Sequence, residues 1–177
     1  MDLNGYPILN YSILMLRSLF IDFNSYFASV EQQLDPALRR RPVGVVPVMA
    51  DSSCCIAASY EAKAFGVKTG TRVADAKRMC PGIELILADH AKYVRIHQQA
   101  LAVVDRIVPV LQVVSIDEME CELTGRWRER ERAVRLAQQV KATLLAELGE
   151  CMRTSVGIAP NTLLAKIGRA SCRERVY

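Results

Sequence analysis

The chain has 177 residues, of which 51% are hydrophobic and 24% are charged, with a formal net charge of +4 at pH 7. This composition suits one folded domain, or a domain with a sizeable insertion, and provides enough apolar residues for a hydrophobic core. The last ten residues, GRASCRERVY, supply +2 of that charge, so the rest is close to neutral and composition alone does not indicate a nucleic-acid-binding protein.

The spacing of the cysteines and histidines argues against a zinc site and against a disulfide scaffold. No CxxC pair occurs, and neither His90 nor His97 lies near a cysteine at zinc-finger spacing. Six thiols are scattered along the chain, at Cys54, Cys55, Cys80, Cys121, Cys151 and Cys172. Scattered thiols are typical of a reducing compartment, so we expect a cytoplasmic protein.

An apolar stretch near the start, YPILNYSILMLRSLFIDF at residues 6–23, has the layout of neither a membrane span nor a signal peptide. Arg17 and Asp22 interrupt it, and no basic segment precedes it. We therefore expect no membrane association, and we interpret residues 1–12 as a leader of unknown role.

In chain order, the first half of the sequence predicts short strands mixed with short helices. The apolar run 13–23 predicts a buried strand, and apolar residues at helical spacing in 27–34 predict a helix that ends before Pro36. The segment VGVVPVMA, 43–50, predicts a strand that Pro47 restricts to a sheet edge or a bulge. Up to residue 89 we then expect a turn into another strand (DSSCCIAAS), a helix closed by glycine (YEAKAFG), a second short helix (within KTGTRVADAKRMCPG) and a strand (IELILA).

The second half predicts longer helices. An apolar stripe predicts a helix over 90–112, followed by a buried strand LQVVSID and its hairpin partner MECELTG. The apolar spacing predicts an amphipathic helix over residues 128–149 and a strand at TSVGIA. The segment PNTLLAKIG is then predicted to open a final helix, with Pro160 near its first turn. Strands and helices mix without regular βαβ alternation. This order predicts an α+β fold, in which helices cover one face of a mixed or antiparallel sheet.

Two predicted strands end in carboxylates: Asp22 ends the first, and Asp117 with Glu118 follows VVSI. If the strands are neighbours, Asp22 and Asp117 converge at one sheet edge, where their repulsion favours a divalent cation between them. Oxygen ligands without His or Cys indicate Mg²⁺ or Mn²⁺, and a pair of such ions is the usual device for nucleotidyl transfer. Strand alternation puts Asp117 and Glu118 on opposite faces, so both serve one site only if the backbone bends. The competing interpretation is solvated acids at strand ends.

Four segments, FIDFNSYFASVEQQLDP, SYEAKAFGVKTG, VVSIDE and VGIAPNTLLAKI, occur in the order and approximate spacing found in Y-family (translesion) DNA polymerases. The resemblance covers residues 18–168. It implies a palm from 13–33 and 90–168 with small α/β fingers inserted at 34–89. It also implies template-directed deoxynucleotidyl transfer past damaged bases, with two Mg²⁺ ions (Mn²⁺ being an alternative), deoxynucleoside triphosphate and primer-template DNA. A sliding clamp is a further candidate partner, although the region that would bind it is absent.

The same resemblance implies roles for individual residues. Asp22 and Asp117 match the metal-binding acids, Glu118 matches a third acid used in catalysis or as a ligand, and the Phe23 carbonyl matches one that helps to bind the nucleotide-associated ion. Phe27 falls at the steric gate that selects deoxyribose. The other residues expected to bind nucleotide are Tyr26 beside the gate, Tyr60 and Lys63 for the triphosphate, and Lys166 at the end of the palm. Lys63 stands where the family usually has Arg. Lysine keeps the positive charge but cannot make the bidentate hydrogen bonds of an arginine.

The sequence departs from the family pattern in two places. After SIDE, Glu120 and Glu122 replace an aromatic residue and an Asp, and they either add negative charge close to the metal site or face solvent. No thumb or little-finger segment follows the palm, and we interpret residues 169–177 as a non-native or frameshifted tail. We accordingly expect the chain alone to show weak or no polymerase activity.

Three alternatives stay open at this point. One is a polymerase-like accessory protein that has lost catalysis, which retention of Asp22, Asp117 and Glu118 argues against. Another is a palm-type nucleotide cyclase, which would lack the YEAKAFG segment in a fingers insertion. The last is a structural module with surface acids.

Overall fold

The computed structural model describes residues 15–170, so the predicted leader and most of the predicted tail lie outside it. The strands within this range are β1 Ser18–Phe23, β2 Val43–Val46, β3 Ala57–Ala58, β4 Glu84–Leu87, β5 Val110–Val113, β6 Glu118–Glu122 and β7 Thr154–Ala159. Its α-helices are α1 Tyr26–Leu34, α2 Tyr60–Ala64, α3 Val73–Met79, α4 His90–Asp105, α5 Arg130–Leu148 and α6 Thr162–Ala170. Short 3-10 helices occupy Pro36–Leu38 and Gly125–Arg128.

The larger sheet is antiparallel and has the strand order β5-β6-β1-β7. Alternate side chains of the central strand β1 point to opposite faces. Leu19 and Ile21 belong to the main core together with buried residues of α4 and α5, whereas Phe20 packs with Ala159 and with Ala165 of α6. The predicted α+β class is confirmed. The long helices α4 and α5 cover one face, and α6 additionally lies over part of the other.

A second, three-stranded sheet with the order β3-β2-β4 lies within residues 34–89. Its central strand β2 pairs antiparallel with β3 and parallel with β4. The prediction that Pro47 restricts this strand to an edge or a bulge is wrong. The strand ends at Val46, before the proline that cannot donate a hydrogen bond to a neighbouring strand, and so it can be central.

The predicted helix 90–112 and the buried strand that follows it also need correction. Helix α4 ends at Asp105, whose carboxylate accepts a hydrogen bond from the Val110 amide at 3.0 Å, and the chain then turns into β5. Strand β5 is an edge strand rather than a buried one, and Leu111 is 60% exposed. The apolar pattern continued across this junction, but Pro109 lies there and cannot donate the hydrogen bond that a helix requires.

Helix α5 offers a matched test of the core. Leu144 is fully buried against the main sheet, while its neighbour Leu145 is 44% exposed. We expect Leu144→Ala to lower the free energy of unfolding by about 2–5 kcal/mol because it leaves a cavity. The same change at Leu145 should cost about 0.5 kcal/mol or less. Urea unfolding followed by circular dichroism measures both values, and equal losses would contradict the placement of α5.

None of the helices in residues 15–170 combines the length and the hydrophobicity needed to cross a membrane.

Candidate active site

The three predicted acids lie where β1 ends beside the turn between β5 and β6. The Phe23 amide donates a hydrogen bond to the Asp117 carbonyl at 2.9 Å, and the neighbouring residues Asp22 and Glu118 are directly opposite each other in register. In an antiparallel pair the position next to a hydrogen-bonded pair is the narrow one, where side chains lie closest. Glu118 therefore shares the face of Asp22, and Asp117 lies in the turn immediately before β6.

Asp22 and Asp117 line one cavity of about 220 Å³ between the two sheets. The Ser115 hydroxyl donates a hydrogen bond to Asp117 Oδ1 at 2.6 Å, which orients that carboxylate. The remaining lining comes from the end of β1, the start of α1 and the inserted segment: Phe23, Ser25, Tyr26, Phe27, Ile56, Ala57, Ala58, Lys63 and Thr69. Two carboxylates, aromatic rings and a cation therefore share one small space.

Aromatic side chains form the floor and wall of this cavity. The Phe27 ring stacks on Tyr93 of α4 with centroids 4.5 Å apart, and Tyr26 packs edge-on against Phe23. The Tyr26 hydroxyl donates to the Tyr93 carbonyl at 2.8 Å. Burial, together with the nearby negative charge of Asp117, raises the pKa of Tyr26, which keeps this donor protonated. Tyr26 is thus occupied within the protein, and Phe27 is the ring held rigidly at the cavity wall.

The inserted segment contributes Lys63 to the cavity, and the Lys63 ammonium donates a hydrogen bond to the Ser25 hydroxyl at 2.6 Å. Ser25 adopts a left-handed backbone conformation (φ 52°) immediately before α1. The Lys63 ammonium also lies 5.7 Å from the centroid of the Tyr60 ring. Tyr60 itself lines an adjacent open groove of about 950 Å³, shared with Asn24 and Arg153. Tyr60 and Lys63 are therefore neighbours that face two adjoining depressions.

Lys166 lies on α6 and is paired with the third acid, Glu118. Its ammonium group donates to Glu118 Oε2 at 2.9 Å and lies 5.5 Å from the Phe20 ring centroid. The Glu118 side chain is only 13% exposed, compared with 44% for Lys166. The cation therefore compensates a mostly buried carboxylate that lies opposite Asp22 in the sheet.

The donor set fits a hard divalent cation. Asp22 and Asp117 supply carboxylate oxygens on one cavity, and Mg²⁺ characteristically keeps several waters and binds through one or two carboxylates plus substrate phosphates. In residues 15–170 no group of three or more His, Cys, Asp or Glu side chains is arranged to hold a metal ion. The Glu118 carboxylate is paired with Lys166.

Some residues of the site were not predicted. Ser25 holds the Lys63 ammonium, Tyr93 supports Phe27, and Glu120 lies buried beneath α6. Tyr93 belongs to the predicted helical stripe, but the stripe gives no indication of what it contacts. For Glu120 a signal existed, because it replaces the aromatic residue usual at that position.

The chain is similar to proteins of one known family. Residues 21–170 match the model of the impB/mucB/samB family. The chain is 36% identical over 153 residues to a DNA polymerase IV of Stenotrophomonas maltophilia, covering 85% of this chain and 41% of the relative. It is 37% identical over 151 residues to a DNA polymerase IV of Neisseria meningitidis, covering 85% and 42%. The chain thus spans less than half the length of these curated relatives.

Solved structures show the same fold. DinB from Sulfolobus solfataricus superposes with a TM-score of 0.82 and 27% identity, covering 91% of this chain and 48% of that one. An insertion ternary complex of Dbh DNA polymerase gives the same score, identity and coverage. The resemblance to the Y-family DNA polymerases predicted from the sequence is confirmed, and the chain belongs to the impB/mucB/samB family.

Proposed function

We propose that this chain carries the nucleotidyl-transfer centre of a translesion DNA polymerase, which adds deoxynucleotides to a primer opposite damaged template bases. The observation that carries the proposal is the shared cavity, where Asp22 and Asp117 lie with Phe27 and Lys63 between the two sheets. The DNA polymerase IV relatives and the Y-family structures support this chemistry. Solvated acids at strand ends would not meet in a cavity of this kind.

In this proposal Asp22 and Asp117 hold the divalent ions, with the Phe23 carbonyl and Glu118 as further oxygen ligands. Two bound Mg²⁺ ions, or Mn²⁺, would lower the pKa of the primer 3′-hydroxyl and neutralise charge on the pyrophosphate. Lys166 donates to Glu118 Oε2 at 2.9 Å, and because a carboxylate accepts at both oxygens, Glu118 can join such a set while it keeps this contact.

The remaining residues bind and orient the nucleotide. Phe27, held against Tyr93, presents a flat surface on which a deoxyribose fits and the 2′-hydroxyl of a ribose collides. Tyr26 supports that ring from within, since its hydroxyl is bonded to the Tyr93 carbonyl. The groups for the triphosphate are Lys63, which lines the cavity, Tyr60, whose ring lies 5.7 Å from the Lys63 ammonium, and Lys166, which contacts Glu118.

Two coarser assignments belong to the same proposal. Residues 13–33 with 90–168 act as the palm and 34–89 as the fingers, consistent with one sheet in each part. The partners are primer-template DNA and a deoxynucleoside triphosphate in the cytoplasm. A sliding clamp is a partner that nothing in residues 15–170 specifies.

Equilibrium binding tests the proposal directly. The chain is titrated with a fluorescent deoxynucleoside triphosphate in Mg²⁺ and then in excess chelator. We expect binding that depends on the metal and that unlabelled deoxynucleotide displaces. Equal binding in chelator, or no binding at millimolar nucleotide with the protein folded, would favour an accessory protein or a structural module instead.

Lys63 gives a more specific test of the phosphate contact. Lys63→Met should weaken triphosphate binding about 10-fold or more, because a hydrogen bond to a charged group is worth about 1.5–3 kcal/mol. Affinity for the deoxynucleoside without phosphates should not change. Lys77→Met serves as the control. It removes the same charge from another helix of the segment 34–89, where Lys77 pairs with Asp51. Equal losses for both variants would argue against a local phosphate contact.

A further inference from the structure

Glu120 is a buried carboxylate whose hydrogen-bond donors in the described structure are uncharged. Its residue is 3% exposed. Ser18 of β1 donates to Oε1 at 2.8 Å, Thr162 of α6 donates to the same oxygen at 2.6 Å, and the Gln112 amide of β5 donates to Oε2 at 2.8 Å. Of the two alternatives left open for these glutamates, a solvent-facing position is excluded for Glu120, whereas Glu122 is exposed and agrees with it.

Two contacts join β6 to α6, Glu120 with Thr162 and Glu118 with Lys166, and the spacing of their residues is similar on both elements. Thr162 and Lys166 are four residues apart, about 6 Å along the same side of a helix. Glu120 and Glu118 are two residues apart, about 6.8 Å along the same face of a strand. Because these spacings nearly match, Thr162 in the first turn of α6 contacts Glu120, and Lys166 in the second turn contacts Glu118.

Helix α6 follows β7 directly and packs against β7 and β1. Among the side chains that the structure describes, its buried apolar contact is a small cluster of Phe20, Ala159 and Ala165. Leu163, Leu164 and Ile167 on the same helix are exposed. A small apolar contact constrains the rotation of a helix less than a hydrogen bond to a buried carboxylate that accepts three hydrogen bonds in all.

We propose that Glu120 is a positioning residue, which through Thr162 fixes α6 so that Lys166 is held on Glu118 at the acidic site. The effect of Lys166 on a nucleotide rests on the proposed function, but its placement by Glu120 does not. Ser18 and Gln112 hold the carboxylate in turn. The acceptor oxygen Oε1 of Glu120 thus anchors the helix through the Thr162 hydroxyl.

The placement is measured through the reactivity of the Lys166 amine. The folded chain is treated with limiting acetic anhydride, and the acetylation rate of each lysine is determined by peptide mass spectrometry. A paired ammonium reacts more slowly than a free one. We expect Thr162→Val, which keeps the shape but removes the hydroxyl, to raise the Lys166 rate about two- to fivefold, the range of a partly exposed ion pair. Glu118→Gln should raise it at least as much.

Three controls accompany this measurement. Thr162→Ser retains the hydroxyl and should leave the Lys166 rate unchanged. Glu120→Gln keeps an acceptor for both hydroxyls, and the Gln112 amide can turn to accept from the new donor, so this variant should also resemble the wild type. Lys141 lies on α5, which packs on the opposite face of the main sheet from α6, and its rate reports any general loosening of the fold.

The outcomes are distinct. An unchanged Lys166 rate in Thr162→Val, with an increase in Glu118→Gln, would overturn the proposal. So would a parallel increase at Lys141, because that indicates loosening of the whole fold, or no increase in Glu118→Gln, because the ion pair would then be absent. If Lys166 responds as expected but neither the wild type nor any variant binds Mg²⁺-nucleotide, the positioning role stands and the proposed function fails.

Discussion

Replacing Asp117 by Asn is expected to reduce Mg²⁺-dependent binding of a deoxynucleoside triphosphate by about 100-fold or more. Even a residue that only orients a metal ligand is worth about 10–100-fold in metal affinity, and a ligand carboxylate should be worth more. Asp117 lines the cavity and is oriented by Ser115, so the amide fits the same space without the charge. Isothermal titration calorimetry at several Mg²⁺ concentrations measures the loss.

The matched control is Glu122→Gln, which removes the same charge from an exposed position at the far end of β6. It should leave nucleotide affinity within about twofold of the wild type, since an exposed charge at that distance is screened. Asp22→Asn should reproduce the effect of Asp117→Asn. Unaltered metal dependence in both aspartate variants would remove the basis of the enzymatic proposal, provided their melting temperatures match the wild type.

Phe27→Ala is expected to abolish discrimination between deoxyribonucleotides and ribonucleotides. The ring is held by Tyr93 at 4.5 Å, so it cannot yield when a 2′-hydroxyl approaches. Steric discrimination by a pocket of this type is worth about 10–200-fold. The ratio of the two dissociation constants, measured by competition against a fluorescent deoxynucleotide, should therefore fall by about 10-fold or more towards unity. The change should come mainly from tighter ribonucleotide binding.

Loss of the stacked ring also carries a stability cost of about 0.5–1.5 kcal/mol beyond that of lost burial, so thermal unfolding accompanies the binding measurement. Phe65→Ala is the control, because that phenylalanine is exposed on the inserted segment, just after α2. It should leave the ratio unchanged. If Phe27→Ala weakens both nucleotides equally and keeps their ratio, the ring serves packing and the selectivity assigned to it is incorrect.

Elements with a strong local sequence pattern were predicted correctly, whereas features that depend on distant contacts were not. Strand β1 and helix α5 follow from apolar runs of the right period, and most of their boundaries agree within two residues where the structure describes them. The junction at 105–110 did not follow, because apolar spacing continues through it and only the capture of the Val110 amide by Asp105 shows where the helix stops. The central position of β2 depends on pairing with strands distant in sequence, which a local pattern does not contain.

For the site, the sequence by itself determined the chemistry: which acids, ring and lysines are present, and the family to which their order belongs. Only the tertiary structure decided which of these residues contact each other. Asp22 and Asp117 share a cavity because β1 and the β5–β6 turn are paired, and Glu120 holds α6 because three elements converge on its carboxylate. Residue types define what a group can bind, but contacts between residues about 100 positions apart form only when the sheet aligns them.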